Sequence, residues 1–280
     1  MQCQKFKYII LGASSSFGLS TISVFNKNKI NYKGFYRSGT VLGFSKCLQV
    51  ENYMAIPEIE FKDTVVLDFR GWTDIFECER MQEKSLKLNF QQQFDLYNKY
   101  NFFFKKYFFI SSASVEGNGD GIPISKYAEH KLKLENTLKN MSKCCGLRIH
   151  STYGPFQKKL FVYECTSSLL KDGKFQLKGS SCAKRDLIHQ DCIPNIFLKN
   201  EVLSRIGIIE ILSGKELMIS EIAQILQKKV NGSNLIFNKN SEFIKPQKLY
   251  TGKSIEKIYL KEFVFPYKLD EYITSMENRT

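Results

Sequence analysis

The sequence, 280 residues long, predicts an α/β protein built on a doubly wound parallel sheet. In its first half, short apolar runs alternate with segments of helical spacing, which is the pattern that such a sheet requires. The first apolar run, 8–11, enters a turn bounded by Gly12 and Gly18, and a helical segment follows. A strand, a tight glycine turn and a helix in this order place a helix N-terminus against a pyrophosphate.

The glycine turn itself supplies the first candidate residues of a dinucleotide site. Gly12 would let the chain turn sharply, and Gly18 would let the helix pack closely on the sheet. A serine, Ser15, stands where such turns usually have their central glycine, so the turn alone fits an ordinary strand-to-helix connection equally well. The cofactor-binding residues predicted here are Gly12, Ser14, Ser15, Ser16, Phe17 and Gly18.

The other elements follow from the same patterns. Apolar runs predict four further strands, at 32–36, in the region 50–56, at 64–69 and at 107–110. An apolar stripe predicts a long helix over 83–100, and a second helix starts within 123–131. Near the C-terminus, 219–230 is predicted to be an amphipathic helix with Ser220 as its N-cap.

The end of the second predicted strand, at Arg37 and Ser38, is where dinucleotide folds meet the adenosine ribose. An acidic residue there accepts hydrogen bonds from a 2′-hydroxyl, whereas an arginine pairs with a 2′-phosphate. Arg37 followed by Ser38 therefore favours NADP(H), with NAD(H) still possible. The alternative is a solvated arginine in a turn.

The end of the strand at 64–69 is predicted to line the pyrophosphate and the nicotinamide ribose. The residues there are Phe69, Arg70 and Gly71. Arg70 would either contact phosphate or simply cap the turn.

The strand at 107–110 opens into a serine pair, and a helix carrying Tyr127 and Lys131 follows. Catalytic groups of open α/β sheets lie at the carboxyl ends of strands, which is where Ser112 stands. Tyr127 and Lys131 are four residues apart and share one helical face. A lysine ammonium, together with a positive nicotinamide, favours a phenolate, so a lowered pKa is predicted for Tyr127.

This arrangement predicts proton transfer coupled to hydride transfer. Tyr127 would pass a proton to or from a carbonyl or carbinol oxygen as hydride moves, and Ser112 would hold the same oxygen by a hydrogen bond. Ser112, Tyr127 and Lys131 are the predicted catalytic residues, and Tyr127 and Lys131 are also expected to contact the cofactor. A chance Y-x-x-x-K pair is the minor alternative.

Composition and charge argue against several other classes. The net charge of +13 fits nucleic-acid binding, but the lysines are dispersed and no nucleic-acid-binding signature accompanies them. A basic surface also suits dianionic cofactors and nucleotide substrates. No apolar run could span a bilayer, and no room precedes the first strand for a signal peptide, so a cytoplasmic location is expected. The eight cysteines lack C-x-x-C spacing, which predicts reduced thiols and no metal site.

Together the motifs resemble the extended short-chain dehydrogenase/reductase family, in particular its NAD-dependent epimerase/dehydratase group, which acts on nucleotide sugars. The matching pieces occur in family order across most of the chain, and their combination is specific. They are G-A-S-S-S-F-G, the Asn89 position, F-I-S-S-A-S-V-E-G, P-I-S-K-Y-A-E-H-K, L-R-I-H-S-T-Y-G-P, R-D-L-I-H-Q-D and L-S-G-K-E-L-M-I-S-E-I-A.

The resemblance implies a Rossmann-like NAD(P)-binding domain at 1–155 and a smaller, mainly substrate-binding α/β lobe at 156–280, some of whose elements return to the Rossmann sheet. It implies the trio Ser112, Tyr127 and Lys131 as the catalytic residues. It also implies a homodimer formed through the helices at 83–100 and 123–142. Composition and charge predict neither nucleic-acid nor membrane partners.

The same resemblance assigns residues near the ligands. It places Tyr153 beside the nicotinamide ribose, and Arg185 near the phosphates of the nucleotide sugar. For Arg185 a structural salt bridge with Asp186 or Asp191 is the equal alternative. Ser114, Ser151 and Arg185 are the predicted substrate-binding residues.

Departures from the family pattern narrow the reaction. Ser151 replaces an asparagine that often contacts substrate, and Glu116 replaces a tyrosine. The segment from Ser112 to Ser114 lacks the extra acid/base pair that a 4,6-dehydratase needs, which argues against dehydration.

The leading hypothesis is therefore an NADPH-dependent reductase of a nucleotide-linked 4-keto-6-deoxyhexose, serving deoxysugar and surface-polysaccharide biosynthesis. Arg37 is the main reason, because NADP pools usually drive net reductions. The alternatives are an NAD-dependent nucleotide-sugar 4-epimerase and a non-catalytic NADP-binding module of the same fold.

Overall fold

A computed structural model of the chain describes residues 7–41, 43–177, 181–200, 202–237, 252 and 255–278, and the statements below concern these residues. Their strands are Lys7–Leu11 (β1), Tyr32–Tyr36 (β2), Cys47–Gln49 (β3), Thr64–Asp68 (β4), Lys106–Ser112 (β5), Cys144–Ile149 (β6), Ser151–Tyr153 (β7), Lys174–Leu177 (β8), Lys184–His189 (β9), Gly207–Leu212 (β10), Glu216–Met218 (β11), Asn234–Phe237 (β12) and Glu256–Tyr259 (β13).

Eight of these strands form one sheet in the order β3-β2-β1-β4-β5-β6-β10-β13. Neighbouring strands from β3 to β10 pair in parallel, which confirms the predicted doubly wound sheet. The strand order reverses between β1 and β4. Ligands of open α/β sheets bind at such a switch point, beyond the carboxyl ends of the strands.

The helices are Ser16–Lys27 (α1), Glu58–Phe61 (α2), Ile75–Arg80 (α3), Gln82–Leu86 (α4), Gln92–Tyr100 (α5), Lys126–Leu138 (α6), Phe161–Asp172 (α7), Cys192–Leu198 (α8), Ile219–Lys229 (α9) and Leu269–Glu277 (α10). A π-helical turn, Lys87–Gln91, joins α4 to α5, so the long helix predicted over 83–100 is present with one widened turn. Single π-helical turns inside helices frequently mark functional sites.

Two predicted features are wrong in detail. The third strand lies at Cys47–Gln49, whereas 50–56 contains a 3₁₀ turn at Tyr53–Ala55. This short edge strand is partly exposed and so carries no apolar alternation. The N-cap of α9 is Met218 instead of Ser220, and its backbone N–H donates to the Glu221 carboxylate at 2.7 Å.

The described residues fall into two compact units. The first takes its residues from 1–149, 193–211 and 251–258, and it contains most of the large sheet. The second takes its residues from 150–192, 212–250 and 259–280. It contains a three-stranded sheet in the order β11-β9-β7 and a parallel pair of β12 and β8.

Each unit has its own apolar core. In the first, side chains from β1, β4 and β5 pack with residues of α5 and α6, including Tyr100 and Leu134, which are fully buried. In the second, the core is formed largely by α7, α9 and α10. Burial of this apolar area is the main force that stabilises both units.

Seven cysteines lie in the described ranges and all are free thiols, while Cys3 lies outside them. Across the same ranges no group of three or more His, Cys, Asp or Glu side chains is arranged to hold a metal ion. The described helices are all too short or too polar to cross a membrane.

Candidate active site

The turn between β1 and α1 needs both of its glycines. Gly12 has φ +72°, and a Cβ there would lie 3.0 Å from the backbone of Phe69 on the adjacent strand end. A Cβ on Gly18 would lie 2.4 Å from the Gly12 carbonyl oxygen, so α1 packs directly on the turn. The sequence argument for these two glycines is confirmed as a statement about backbone geometry.

The serines of the turn have distinct local roles. Ser15 is the N-cap of α1, and its side chain accepts a hydrogen bond from the Gly18 N–H at 3.1 Å. A serine at this position therefore stabilises the helix start in place of the usual glycine. Ser14 Oγ donates to the Ser38 carbonyl at 2.6 Å, which fixes the end of β2 beside the glycine turn. Ser16 and Phe17 begin α1 and are partly exposed.

The end of β2 presents an exposed arginine. Arg37 and Ser38 are both exposed, and the Arg37 carbonyl accepts a hydrogen bond from Gln49 at 3.1 Å. Within the described ranges the Arg37 guanidinium forms no ion pair. The position predicted to meet a 2′-phosphate thus carries an available positive charge.

A pocket of about 350 Å³ opens beside this arginine within the first unit. It lies against the glycine turn, because the Gly12 backbone hydrogen-bonds the hydroxyl of Tyr53, one of its lining residues. The lining combines both charges with amides and one aromatic ring: Arg37, Glu51, Asn52, Tyr53, Met54, Arg70, Lys87, Gln92 and Asp95. Sequence reasoning identified only the two arginines of this set.

Arg70 lies in a buried ion pair. Its Nε and Nη2 donate to the Asp68 carboxylate at 2.9 and 2.5 Å, and its backbone N–H donates to the same carboxylate at 3.0 Å. Tyr107 also donates to Asp68, at 2.6 Å, and the Tyr53 ring lies 4.7 Å from the guanidinium. Of the two predicted roles, this favours the turn cap over the phosphate contact.

The next residues along the same strand end are Phe69 and Gly71. Phe69 is 6% exposed, and its ring lies 6.1 Å from that of Phe17. Gly71 is exposed, and a Cβ added to it would lie 3.3 Å from the Lys131 Nζ and 3.2 Å from the Asn89 Oδ1. The loop after β4 therefore rests directly on the predicted catalytic lysine.

Ser112 and Tyr127 are brought together at the carboxyl end of β5. Ser114 donates to the Ser112 Oγ through its hydroxyl at 2.8 Å and through its backbone N–H at 3.2 Å. The Ser112 hydroxyl also acts on the Tyr127 phenol and lowers its pKa. The three hydroxyls are thus grouped at one strand end, and Ser114 fixes the orientation of Ser112.

The protonation state of Tyr127 differs from the expectation. Burial raises the pKa of Tyr127 to about 12, and the hydrogen bond from Ser112 only partly offsets this. The prediction that Lys131 lowers the pKa of Tyr127 is therefore wrong when the protein groups alone are considered. Desolvation disfavours the phenolate more than the neighbouring groups stabilise it. At neutral pH the phenol carries its proton.

Lys131 is 2% exposed and donates to the Ile110 carbonyl at 2.8 Å. Burial lowers the pKa of its ammonium group to about 8, while Asp68 and Glu135 act in the opposite direction. Since it lies on the same face of α6 as Tyr127, the structure brings the predicted trio to one strand end.

A buried ion network, missed in the sequence, supports the serine turn. Arg148 on β6 pairs with Glu135 of α6 at 2.6 Å and with Glu116, which closes the serine turn. Ser111 donates to Glu135 at 2.5 Å. The network ties β5, β6, α6 and the serine turn together. It gives Glu116, the residue that departs from the family pattern, a definite role in the fold.

The remaining candidates lie in the second unit. Tyr153 is 1% exposed, its hydroxyl donates to the Tyr267 carbonyl at 2.5 Å, and its ring contacts that of Phe265. Its side chain is therefore a core residue, and only its backbone stays a candidate for cofactor contact. Burial raises the pKa of the Tyr153 phenol well above its ordinary value.

Ser151 and Arg185 share one face of the three-stranded sheet, because Ser151 pairs with Leu187 and Arg185 lies two residues before Leu187 on the same strand. The Arg185 guanidinium donates a hydrogen bond to the Lys184 carbonyl at 2.8 Å. The Asp186 carboxylate accepts from the Ser213 and Gly214 amides, at 2.9 and 2.7 Å. Neither aspartate suggested as its partner is paired with it within the described ranges, so the salt-bridge alternative for Arg185 finds no support.

The comparisons with known proteins agree with this architecture. No protein-family profile and no curated relative matches the sequence. Solved structures do match it over nearly the whole chain. A variant of a UDP-glucuronic acid 4-epimerase from Bacillus cereus, with a fluorinated UDP-sugar and NAD, has a TM-score of 0.77 and 16% identity over 98% of this chain and 100% of its own.

The UDP-N-acetylglucosamine 4-epimerase of Methanobrevibacter ruminantium has a TM-score of 0.76 and 15% identity over 99% of this chain and 98% of its own. RMD from Pseudomonas aeruginosa, in complex with NADPH, has a TM-score of 0.73 and 14% identity over the whole of both chains. These neighbours are extended short-chain dehydrogenase/reductase members of the epimerase/dehydratase type. At such identities the likeness establishes a shared fold, which is the fold the motifs indicated.

Proposed function

We propose that the protein is an NADPH-dependent reductase that converts the ketone of a nucleotide-linked 4-keto-6-deoxyhexose to an alcohol, in the biosynthesis of deoxysugars for surface polysaccharides. The observation that carries this proposal is the grouping of the Ser114 and Ser112 hydroxyls with a protonated Tyr127, next to buried Lys131. This group stands at the carboxyl end of β5, where open α/β sheets carry their catalytic groups.

Features of the first unit support the binding of a dinucleotide. The positive φ of Gly12 and the closely packed Gly18 leave no Cβ above the turn, and the helix N-terminus there favours anionic groups. The pocket beside Arg37 is assigned to the adenosine end, with the guanidinium on a 2′-phosphate. When bound, the cofactor supplies the hydride.

The chain's own residues supply the proton and hold the ketone. Tyr127 donates its phenolic proton to the ketone oxygen, which suits a group that keeps its proton at neutral pH. Ser112 turns its hydroxyl from the phenol to the same oxygen and stabilises the charge that develops there. Lys131, held by the Ile110 carbonyl, stabilises the phenolate left after proton transfer.

Substrate recognition is assigned to the second unit. Ser151 and Arg185 lie on one face of its three-stranded sheet, and Arg185 is only partly buried. A guanidinium without a carboxylate partner among the described residues suits the pyrophosphate of a nucleotide sugar. Ser114 acts on substrate through Ser112.

A nucleotide-sugar 4-epimerase using NAD is the second candidate. The specific observation that favours it is the likeness to two 4-epimerase structures. The exposed Arg37, which suits the 2′-phosphate of NADPH, ranks reduction first.

Incubation with a panel of nucleotide-linked 4-keto sugars, while the absorbance of NADPH and of NADH is followed, tests the proposal. A reductase consumes one NADPH for each alcohol formed, whereas an epimerase converts nucleotide sugars without net consumption of cofactor. Binding of NADPH without any turnover on the panel would instead support the non-catalytic module.

A further inference from the structure

A chain of buried polar side chains links α6 to the loop after β4. Its members His130, Ser85 and Asn89 have no part in the proposed reaction. His130, on α6, is 8% exposed, and its Nδ1 lies 2.8 Å from the Ser85 Oγ on α4. Ser85 is fully buried, and its Oγ accepts from the Asn89 Nδ2 at 3.2 Å. Because the charge of a histidine changes near neutral pH, a buried histidine can change the hydrogen bonds of the residue that it contacts, here Ser85.

The inner end of this chain holds one residue of the cofactor-site loop by both its backbone groups. The Trp72 N–H donates to the Asn89 Oδ1 at 2.8 Å, and the Asn89 Nδ2 donates to the Trp72 carbonyl at 3.0 Å. Gly71, the residue before it, lies over the Asn89 Oδ1 and the Lys131 Nζ. Asn89 thereby holds the Gly71–Trp72 loop against the lysine of the candidate trio.

The directions of these bonds depend on the charge of His130. The Asn89 amide nitrogen can only donate, so the Ser85 Oγ accepts from it and its hydroxyl hydrogen is free to donate to Nδ1. A neutral His130 that carries its hydrogen on Nε2 offers that acceptor. A protonated His130 places a hydrogen on Nδ1, so Ser85 must then turn its own hydrogen away and the arrangement beneath Asn89 changes.

The surroundings of His130 keep it neutral at neutral pH. Burial lowers the pKa of His130 from its ordinary 6.5. The charged groups that face it are balanced: Glu129, Lys126 and Lys133 on its own helix, and Glu79 on α3. Its protonation therefore belongs to mildly acid conditions, in which the ion pairs of the site are still intact.

We propose that His130 is a positioning residue of the candidate active site, which in its neutral form holds the Gly71–Trp72 loop against Lys131 through Ser85 and Asn89. Protonation of His130 loosens this loop and weakens cofactor binding. The consequence for the cofactor rests on the proposed function, whereas the hold on the loop does not.

Trp72 is the single tryptophan of the chain, so its intrinsic fluorescence reports on this loop without any ligand. Its ring also lies 4.6 Å from the Lys84 Nζ, a contact that makes the emission sensitive to loop movement. In a titration from about pH 8 to about pH 5, wild type is expected to show one transition with a midpoint below that of an ordinary histidine.

Two substitutions should fix the loop in opposite states. His130→Asn keeps an acceptor near the place of Nδ1 and should hold the high-pH emission throughout. His130→Leu removes the acceptor and should give the low-pH emission throughout, as should Ser85→Ala. His150→Asn, a second of the chain's three histidines, is the matched control and should keep the transition.

The cofactor consequence is measured by NADPH titration of the same proteins. Wild type should bind NADPH more weakly as His130 protonates, and His130→Asn should remove this pH dependence. A transition that persists in His130→Asn, or no transition in wild type, overturns the proposal. Failure of every variant and of wild type to bind NADPH, with the fluorescence behaving as expected, overturns the proposed function instead.

Discussion

The first unit buries two cations, Arg70 after β4 and Lys131 on α6. Arg70 is paired with a carboxylate and has a raised pKa, whereas Lys131 has a lowered one. Burial lowers the pKa of Arg70, but Asp68 more than offsets this and leaves it raised. Burial lowers the pKa of Lys131 to about 8, and its ammonium group donates a hydrogen bond to the Ile110 carbonyl. Removal of a buried cation that has its own carboxylate leaves that carboxylate buried and unpaired, whereas a buried cation without one costs stability and is available to a reaction.

The largest effect is expected from breaking the pair at β4. Arg70→Met leaves the Asp68 carboxylate buried without its main partner, and this should lower the free energy of unfolding by about 3 to 5 kcal/mol. Chemical denaturation measures it. Arg80→Met, which breaks an exposed pair with Glu77, is the matched control and should leave stability unchanged. An Arg70 variant as stable as wild type would remove the contrast with Lys131.

Lys131→Met should act with the opposite sign. The pKa of Lys131 falls from 10.5 to about 8 on folding, which corresponds to a cost of about 3 kcal/mol when the group is charged. Because the unfolded chain binds this proton more tightly, the cost is fully present below pH 8 and disappears as the pH rises from about 8 to 10.5.

The substitution should therefore stabilise the protein below pH 8, by at most that amount, and the gain should shrink as the pH rises. Denaturation curves at several pH values measure it. Lys133→Met, at an exposed position of the same helix, serves as the control and should show no such pH-dependent gain. A destabilised Lys131→Met at pH 7 would mean that the ammonium group is a structural element after all.

Arg37 gives the third case, an exposed cation that forms no ion pair with another described residue. Arg37→Ala should leave stability within about 0.5 kcal/mol. It should weaken NADPH by roughly tenfold to 100-fold, since a charge-assisted hydrogen bond contributes about 1.5 to 3 kcal/mol, and leave NADH nearly unaffected. Fluorescence titration with both cofactors measures this, and equal weakening of the two would contradict the NADP assignment.

Sequence reasoning reached those features that depend on local spacing. The glycines of the first turn, the Tyr127–Lys131 pair and the parallel sheet follow from backbone requirements and from helical and strand periods. Asp68 and Arg70 also follow from local spacing, because residues two apart at a strand end point to the same side.

The rest depends on contacts between distant segments. The Arg148 network joins residues from β6, α6 and the serine turn, and no short motif encodes it. The raised pKa of Tyr127 comes from burial, which a helical spacing does not reveal. The third strand was misplaced because Cys47–Gln49 is too short and too exposed to show a period.

The most direct test of the central claim compares wild type with Tyr127→Phe on a nucleotide-linked 4-keto-6-deoxyhexose, with NADPH oxidation and NADPH affinity measured on the same samples. Loss of the proton donor should lower kcat by about 10²- to 10⁴-fold and leave the dissociation constant for NADPH nearly unchanged. A Tyr127→Phe protein that oxidises NADPH at the wild-type rate would contradict the assignment of this phenol as the proton donor.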